Sequence, residues 1–477
     1  MKKLLLLLLV VMLTISVVAT FSLAGCKKEE EAEEEEEAEE EEAAEEKEVT
    51  EEAAPTKLVF LTHWTDPWMI DYWDEVFAEY MELNPAVEIE FLTVEFDAFY
   101  EKIMTMRAAG SDPDIIHGHQ MWIPTFAEAE MLATTPDAVT ADLTDNFAAP
   151  SVEGVTYNGS IYGYPTEYNS WFLVYNKPIL EAAGYTEPPS TWEEFREIAL
   201  ACTDKEPRPV VEEEAEEEVE EEVGEGYGTT GFLPFYDAMP EEQLMQFANL
   251  LWASGGELWD LEAKEVLFND EKGVEAVKLY TDLMDEAYNS QVLIDVWWDA
   301  WANEEVAMMI LPSWMSYLKD AMEENFTHLG IAPVPVSEES MEPVSLTFGW
   351  ATMVSERAEE IGNADAAWDL LKWINEPQTE TGMSKMGDFL IEHLITPARI
   401  SDQENNEVFA TDNPGFWFRD GNQIATDYGR SYEYCENFEE FQYILGTNLE
   451  SAWVGTMTPE EALNDAAAQI EAIMAGM

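Results

Sequence analysis

Residues 154–195 read G-V-T-Y-N-G-S-I-Y-G-Y-P-T-E-Y-N-S-W-F-L-V-Y-N-K-P-I-L-E-A-A-G-Y-T-E-P-P-S-T-W-E-E-F, and this stretch decides the fold of the chain. A turn is predicted at Asn158-Gly159, a dipeptide that favours tight hairpins. A short strand, a bend at residues 163–165 and a second strand over residues 171–175 follow. None of these elements carries a chemically reactive group, so they indicate architecture and not catalysis.

The second half of this stretch predicts two helices. The first covers residues 177–183 and ends at Gly184. Thr191 and Glu194 form a capping box at the start of the second helix. Its apolar face has the spacing i, i+3, i+4, i+7 of an amphipathic helix and consists of Phe195, Ile198, Ala199 and Cys202.

Four short motifs follow one another in this stretch: G-x-I-Y-G-x-P, Y-N-K, A-G-x and P-P-x-T-W-E-E-F. In this order they resemble a signature of the extracellular solute-binding proteins of bacterial ABC importers, the large sugar-binding type. The resemblance implies a type II-like periplasmic-binding-protein fold of class α/β. Each of its two lobes would be a β-sheet flanked by helices, with three hinge crossings between them. The first crossing is expected in this stretch, at the floor of the ligand cleft.

The same resemblance extends over residues 57–477, apart from an acidic insert. An A-G-x-x-P-D turn occurs at residues 109–114, and a second crossing is expected at residues 330–335. The segment at residues 307–314 is similar to the family's A-A-M-x-x-x-G-x-W, with Pro-Ser where a Gly is usual. A helix with the sequence T-P-E-E-A-L and its own capping box begins at Thr458. Chains of the family frequently end with such a helix.

Composition excludes several classes of function. The chain has 22 Lys and Arg against 101 Asp and Glu, a formal charge of −79. Phosphate groups bind to clustered basic residues, so neither nucleic acid nor an anionic membrane surface is an expected partner. A hydrophobic content of 47% over 477 residues supports two domains of ordinary size. The acidity has two interpretations, a solvated surface or a field that attracts cationic ligands.

The N-terminus predicts secretion. Residues 1–25 combine a charged start with an apolar run too short for a permanent membrane span, which is typical of a signal peptide. The sequence Leu23-Ala24-Gly25-Cys26 is similar to a bacterial lipobox, although a cysteine there by chance is the alternative. Lipidated Cys26 would hold the protein on the cell membrane, facing the extracellular side or the periplasm.

Two acidic low-complexity segments accompany the folded body. Residues 26–56 contain almost only Glu and Ala after the cysteine, and repulsion between adjacent like charges predicts a disordered tether. Residues 206–226 predict an acidic surface insert. Calcium binding there is not expected, because the insert has no spaced ligand loop.

The first part of the body alternates β-α-β-α-β between Lys57 and residue 116. This order predicts a parallel sheet with covering helices. Ligands of such sheets bind at the carboxyl ends of the strands. The rim residues are therefore expected to be Trp64, Asp66, His117, Gln120 and Trp122.

A catalytic function finds little support in the motifs. The chain lacks G-x-S-x-G, H-E-x-x-H and a phosphate-binding loop. His117 and His119 have no third metal ligand at a diagnostic spacing, so a strand-end loop is the simpler interpretation. Cys202 and Cys435 are compatible with a disulfide and with two buried thiols. We therefore predict no enzyme activity, no cofactor and no metal.

Tryptophan is the most informative residue type that remains. Sugars have apolar ring faces and hydroxyl edges, so their sites combine flat aromatic walls with polar side chains. The tryptophans at predicted loops or element ends are Trp64, Trp68, Trp122, Trp298, Trp301, Trp314, Trp350 and Trp417. The polar candidates are Asp66, Gln120, Glu167, Tyr168, Asn169, Asp299 and Arg419. For each tryptophan singly, packing in the core is the alternative.

These observations predict a monomeric, two-lobed binding protein that delivers a mono- or oligosaccharide to permease subunits. Lobe 1 is expected at residues 57–166 plus 337–380, and lobe 2 at residues 167–336 plus 381–477. One alternative ligand is a quaternary ammonium ion caged by Trp. Another alternative is a secreted protein that binds or processes glycans without import.

Overall fold

The computed structural model describes residues 55–208, 226–234, 239–289, 297–315, 318–378, 381–411 and 415–477. The predicted signal peptide, Cys26, the tether up to residue 54 and most of the acidic insert lie outside the described residues.

The body is a mixed α/β structure. Its strands are β1 Thr56–Thr62, β2 Val87–Thr93, β3 Ile115–His119, β4 Thr156–Tyr157, β5 Ser160–Ile161, β6 Gly163–Asn176, β7 Asp204–Arg208, β8 Gly226–Thr229, β9 Trp259–Asp260, β10 Glu265–Val266, β11 Met308–Pro312, β12 Leu329–Ala332, β13 Ser345–Val354 and β14 Gly429–Arg430. Its helices are α1 Pro67–Leu83, α2 Phe96–Ala108, α3 Ile123–Glu128, α4 Asp137–Asn146, α5 Ala149–Gly154, α6 Lys177–Ala182, α7 Trp192–Cys202, α8 Pro240–Ala253, α9 Glu271–Glu286, α10 Trp297–Ala302, α11 Leu318–Met322, α12 Glu356–Ile361, α13 Ala364–Asn375, α14 Lys385–Glu392, α15 Ile400–Glu404, α16 Gly415–Tyr428, α17 Phe438–Trp453 and α18 Pro459–Met474.

The first three strands form the parallel sheet that the β-α-β-α-β order predicts. Strand β1 lies between β2 and β3, with Thr56 opposite Val87 and Phe60 opposite Ile115. Helix α2 ends where Gly110 takes a positive φ of 64°, which glycine adopts without strain. The parallel arrangement brings the ends of β1 and β3 to the same edge of the sheet.

Side chains of β1 alternate between two hydrophobic cores. Leu58 and Phe60 join a core with Trp73 of α1 and Leu370 of α13. Leu61 joins the larger core on the other face of the sheet. Because neighbouring residues of a strand point to opposite faces, a short apolar run serves both layers.

Strand β6 connects the two parts of the sheet. Its first half, up to Ser170, pairs antiparallel with β13, and its second half, from Trp171, pairs with β11 and β12. The predicted bend at residues 163–165 is wrong, since the strand runs without interruption from Gly163. Pro165 fits because its register with β13 shifts between Gly349 and Ala351, where an irregular ladder tolerates a residue without N–H.

Local capping predictions are confirmed. Thr191 and Glu194 form a reciprocal capping box on α7, and Thr458 and Glu461 form another on α18. The turn at residues 158–159 has positive φ at both positions and joins the short strands β4 and β5. Each of these features depends on a few adjacent residues, which is why the sequence predicts it well.

Helix α14 packs with the first part of the sheet. Phe389 belongs to the same core as Leu58, and the Tyr72 hydroxyl of α1 donates to the carbonyl of Lys385 at 2.7 Å. The Lys385 ammonium also lies 2.7 Å from the Glu79 carboxylate of α1. These contacts hold α14 against α1.

The thiols of Cys202 and Cys435 are both free and buried. Burial raises the pKa of each to about 11, so the neutral thiol persists. In the described ranges, no helix has the length and the hydropathy needed to cross a membrane.

Replacing Gly349 by Ala tests the pairing between β6 and β13. A Cβ at residue 349 would lie 2.5 Å from the Glu167 carbonyl oxygen and 2.8 Å from Nε2 of Gln120. Overpacking should lower the free energy of unfolding by about 1–3 kcal/mol or more. Urea unfolding measures this loss. Gly476→Ala, at the exposed C-terminus, is the matched control, and an equal stability of the two variants would contradict the tight packing.

Candidate binding site

A cavity of about 410 Å³ lies where β6 changes its pairing partners. It opens at the carboxyl ends of β1 and β3, and the start of α8 and part of α14 complete its walls. Its lining residues are His63, Trp64, Thr65, Asp66, Met69, Phe96, His119, Glu167, Asn169, Trp171, Met239, Glu241, Glu242, Met245, Trp314, Phe348, Trp350, Phe389, Leu390 and Ile395.

Part of the predicted site lines this cavity. These predicted residues are Trp64, Asp66, Glu167, Asn169, Trp314 and Trp350. Glu167 and Asn169 share one face of β6, because alternate residues of a strand point the same way. Trp350 stands opposite His119 across the β13–β3 ladder, so both reach the cavity from adjacent strands.

Three predicted residues near the same strands are placed elsewhere. Tyr168 lies between two cavity residues of β6 and therefore points to the opposite face. Gln120 and Trp122 follow β3 in a turn of 3₁₀ helix, and both are buried. The indole of Trp122 donates to the Glu439 carboxylate of α17 instead of facing the cavity.

The other predicted residues whose side chains are described do not line the cavity. Trp301 and Trp417 are in helices α10 and α16 and only 0% and 1% exposed, so core packing explains both. The Trp417 indole donates to the Ser313 carbonyl at 2.7 Å. Asp299 is exposed, and Arg419 forms an exposed ion pair with Asp420. Trp298 is in α10, but its side chain lies outside the description, and Trp68 stacks on His393.

Sequence reasoning missed several cavity residues. Trp171 follows Glu167 and Asn169 at the same two-residue interval, and this period was a usable signal. Phe348 lies two residues before Trp350 in β13, so the same two-residue period pointed to it. Glu241 carried no such signal, since acidic residues are common in the first turn of a helix and α8 reaches the cavity only through tertiary packing.

Aromatic rings build two walls of the cavity. Trp350 stacks on His63 with ring centroids 3.9 Å apart. Trp64 stacks on Trp73 at 4.9 Å and contacts Phe389 at 4.8 Å. Neighbouring rings therefore pack against both of these indoles.

The histidines of the site are neutral. Burial lowers the pKa of His63 to about 3, and burial together with His63 lowers that of His119 to about 3. His117 lies behind them between the hydroxyls of Thr62 and Thr166, at 3.1 Å and 3.2 Å. Among the described residues, no group of three or more His, Cys, Asp or Glu has an arrangement that could hold a metal ion.

Two cavity carboxyls retain protons at unusually high pH. Burial raises the pKa of Glu167 to about 7, against the opposing hydrogen bond from the Thr166 hydroxyl. Burial, with repulsion from Glu439 and Glu242, raises the pKa of Glu241 to about 8. Both groups are therefore partly neutral near pH 7, and their charge depends on what else enters the cavity.

The model of the family described as bacterial extracellular solute-binding protein matches residues 66–381. The chain belongs to this family. The match covers the strands, helices and turns that form most of the cavity, and the sequence-based recognition is confirmed. The family is one of binding proteins and not of enzymes.

Curated relatives match over different lengths. A Brucella abortus protein described only as a binding protein is 23% identical over 414 residues, covering 84% of this chain and 90% of its own. A maltotriose-binding protein of Pyrococcus abyssi is 31% identical over 141 residues, 29% of each chain.

Solved structures match almost the whole body. An ABC-transporter solute-binding protein of Thermotoga lettingae, bound with α-D-tagatose, is similar with a TM-score of 0.68 and 22% identity, covering 88% of this chain and 100% of its own. The GacH receptor of Streptomyces glaucescens, solved unliganded and with acarbose, is similar with a TM-score of 0.68 and 21% identity. This match covers 88% of this chain and 99% of the receptor chain. These two-lobed binding proteins confirm the predicted fold class.

Replacing Glu241 by Gln should flatten the pH dependence of stability. Because the folded pKa of Glu241 is about 8, above the ordinary 4.5, the folded protein keeps a proton that the unfolded chain loses. The proton on Glu241 therefore stabilises the folded protein at pH 4.5. This contribution to the free energy of unfolding is lost as the pH rises to 8, by at most about 1.4 kcal/mol per pH unit. Urea unfolding between pH 5 and 8 measures the difference from wild type.

The exposed Glu440→Gln variant is the control for this slope, and it should follow wild type. Parallel curves for wild type and Glu241→Gln would show that the Glu241 carboxyl is ionised and solvated in the folded protein, contrary to the geometry.

Proposed function

We propose that this protein is the extracellular substrate-binding component of an ABC importer and that it captures a carbohydrate in the cavity at β6. The observation that carries the proposal is the combination of flat aromatic walls with polar groups between them. Indoles such as Trp64 and Trp350 fit the apolar faces of a sugar ring. Asn169, Glu167 and His119 supply donors and acceptors for its hydroxyls.

The relatives support a sugar as the ligand class. The similar proteins include a maltotriose-binding protein and structures solved with tagatose and with acarbose, each a sugar or sugar-like compound. The cavity volume of about 410 Å³ lies in the range of small-molecule sites. A mono- or disaccharide suits this volume better than a long glycan.

The cavity lies between the proposed lobes. We assign lobe 1 to residues 57–166 plus 337–399 and lobe 2 to residues 167–336 plus 400–477, moving the last boundary because α14 packs on α1. With this division, Trp64 and Trp350 come from lobe 1, and Trp171 and Trp314 from lobe 2. A ligand that contacts both lobes favours their closed arrangement, which the permease would recognise.

The protein would bind its ligand without cleaving it and act as a monomer without a cofactor. The carboxyls at the cavity then serve as hydrogen-bonding groups and not as an acid–base pair. Turnover of a glycoside would contradict this part of the proposal. A quaternary ammonium ligand remains the second candidate, because acidic groups and tryptophans meet at the same cavity.

A melting-temperature screen of the mature chain, with Cys26→Ser, tests the proposal. Mono- and oligosaccharides, polyols, betaine and choline are the probes, and a ligand at 100 times its Kd adds about 2.7 kcal/mol of stability.

Trp314→Ala should weaken sugar binding about tenfold, since one stacked ring face is lost. Trp373→Ala, away from the cavity, should bind like wild type. Shifts with betaine or choline alone would replace the sugar hypothesis.

Lipid anchoring at Cys26 is tested separately by Cys26→Ser. The unmodified chain should sediment with bacterial membranes and incorporate labelled fatty acid, because two or more acyl chains give stable anchoring. The variant should appear in the soluble extracellular or periplasmic fraction without label. Membrane retention of an unlabelled variant would mean that another segment anchors the protein.

A further inference from the structure

The segment after β3 carries side chains that reach from one proposed lobe to the other. The Trp122 indole donates to the Glu439 carboxylate of α17. Three residues further along, the Thr125 hydroxyl donates to the Glu436 carbonyl oxygen at 2.7 Å. Trp122 and Thr125 belong to lobe 1, and Glu436 and Glu439 belong to lobe 2. These two hydrogen bonds therefore join the lobes directly.

Neither hydrogen bond belongs to a segment where the chain crosses between the lobes. The proposed lobe boundaries place these crossings after residues 166, 336 and 399. The crossings stay connected in any arrangement of the lobes, because the chain itself joins them. The hydrogen bonds of Trp122 and Thr125 exist only while the lobes are in contact, so they favour the closed arrangement.

Trp122 and Glu439 are each positioned within their own lobe. The Trp122 ring packs against Tyr100 of α2, with ring centroids 5.5 Å apart. Glu439 follows Phe438, whose ring packs on Trp259 at 5.8 Å. Because this packing already restricts both side chains, joining them loses less side-chain entropy than joining two free surface groups would.

The hydrogen bond between Trp122 and Glu439 is charge-assisted. Burial raises the pKa of Glu439, and the indole N–H opposes this rise, so the hydrogen bond favours the ionised carboxylate. Among the described residues, the indole is the one side-chain donor to this carboxylate. Its loss would leave a half-buried carboxylate without that hydrogen bond.

These residues lie next to the cavity without lining it. Trp122 meets Trp350 edge-on, with ring centroids 5.7 Å apart. The charge of Glu439 raises the pKa of Glu241 by repulsion. Trp350 and Glu241 line the cavity, whereas Trp122 and Glu439 do not. Trp122 and Glu439 can therefore act on a ligand only through their neighbours or through the arrangement of the lobes.

We propose that Trp122, Thr125, Glu436 and Glu439 form an interlobe latch that holds the lobes together before a ligand enters. The latch sets the fraction of ligand-free molecules that are already closed. It thereby sets the affinity for any ligand that needs the closed arrangement. Trp122 and Glu439 are positioning residues in this sense. The inference rests on the proposed lobes and is independent of which ligand binds.

A distance between two spin labels on the ligand-free protein tests the latch. Glu101→Cys on α2 and Tyr443→Cys on α17 place one exposed label on each lobe of the full mature chain with Cys26→Ser. Cys202 and Cys435 are buried thiols with a pKa of about 11, so they do not compete for the label. Pulsed electron paramagnetic resonance measures the distance, and the arrangement described here gives the short one.

Trp122→Phe keeps a ring but removes the N–H donor. It should lower the ratio of short to long label distances about tenfold. Glu439→Ala should cause the same loss, and combining the two changes should add little, because both remove one hydrogen bond. Glu439→Gln should keep the wild-type ratio, since its amide oxygen still accepts from the indole. The exposed neighbour Glu440→Ala is the control and should behave like wild type.

Thr125→Val provides a second, independent variant of the latch. It keeps the shape of the side chain and removes the hydroxyl donor to Glu436, so it should also lower the share of short distances. Thr125→Ser, which keeps the hydroxyl, should not. This pair decides the question should Trp122→Phe or Glu439→Ala fail to fold by circular dichroism.

Three outcomes overturn the latch. The first is an unchanged distance distribution in the variants that lack a hydrogen bond. The second is a wild-type chain that shows only the long distance without ligand, since its lobes would then stay apart. The third is a loss that Glu439→Gln shares, because packing and not the hydrogen bond would then be responsible. None of these outcomes involves a ligand, so the proposed sugar-binding function is judged separately by its own screen.

Discussion

The change of pairing partners along β6 is the constraint on which the rest of the structure depends. One continuous strand is hydrogen-bonded to β13 over its first half and to β11 and β12 over its second. Main-chain hydrogen bonds therefore fix both parts of the sheet relative to the same backbone. The cavity lies at this change, where Glu167, Asn169 and Trp171 of β6 line it. Gly349 permits the close approach, since any Cβ at that position would meet the Glu167 carbonyl oxygen.

Burial gives the cavity its electrostatic character. Burial makes ionised carboxyls unfavourable, and it raises the pKa values of Glu167 and Glu241 to about 7 and 8. The same burial keeps His63 and His119 neutral, so these rings act as flat surfaces and hydrogen-bond donors. The strongly acidic chain, with a formal charge of −79, thus contains a cavity whose carboxyls are partly neutral near pH 7.

Local sequence patterns predicted the fold well and the site in part. Capping boxes, the Asn-Gly turn and the β-α-β-α-β order depend on neighbouring residues, and the structure has all of them. Trp64, Asp66 and Trp350 line the cavity, where the strand-end rule puts them, because strand ends are visible in the sequence; their contact with a ligand stays a prediction. Trp301 was placed wrongly, since nothing local distinguishes a buried helical indole from one in a loop. Glu241 escaped notice because its position depends on how α8 packs, and long-range packing leaves no periodic signal.

The alternation of side chains along β6 has a consequence for how this protein diversifies. Glu167, Asn169 and Trp171 face the cavity, while the residues between them point to the other face of the strand. The ladder that holds the strand uses only main-chain atoms, so exchanging a cavity-facing side chain leaves the hydrogen bonding of the sheet intact. Substitutions at these alternate positions would therefore change the lining of the cavity while the main-chain ladder on both sides of β6 stays paired.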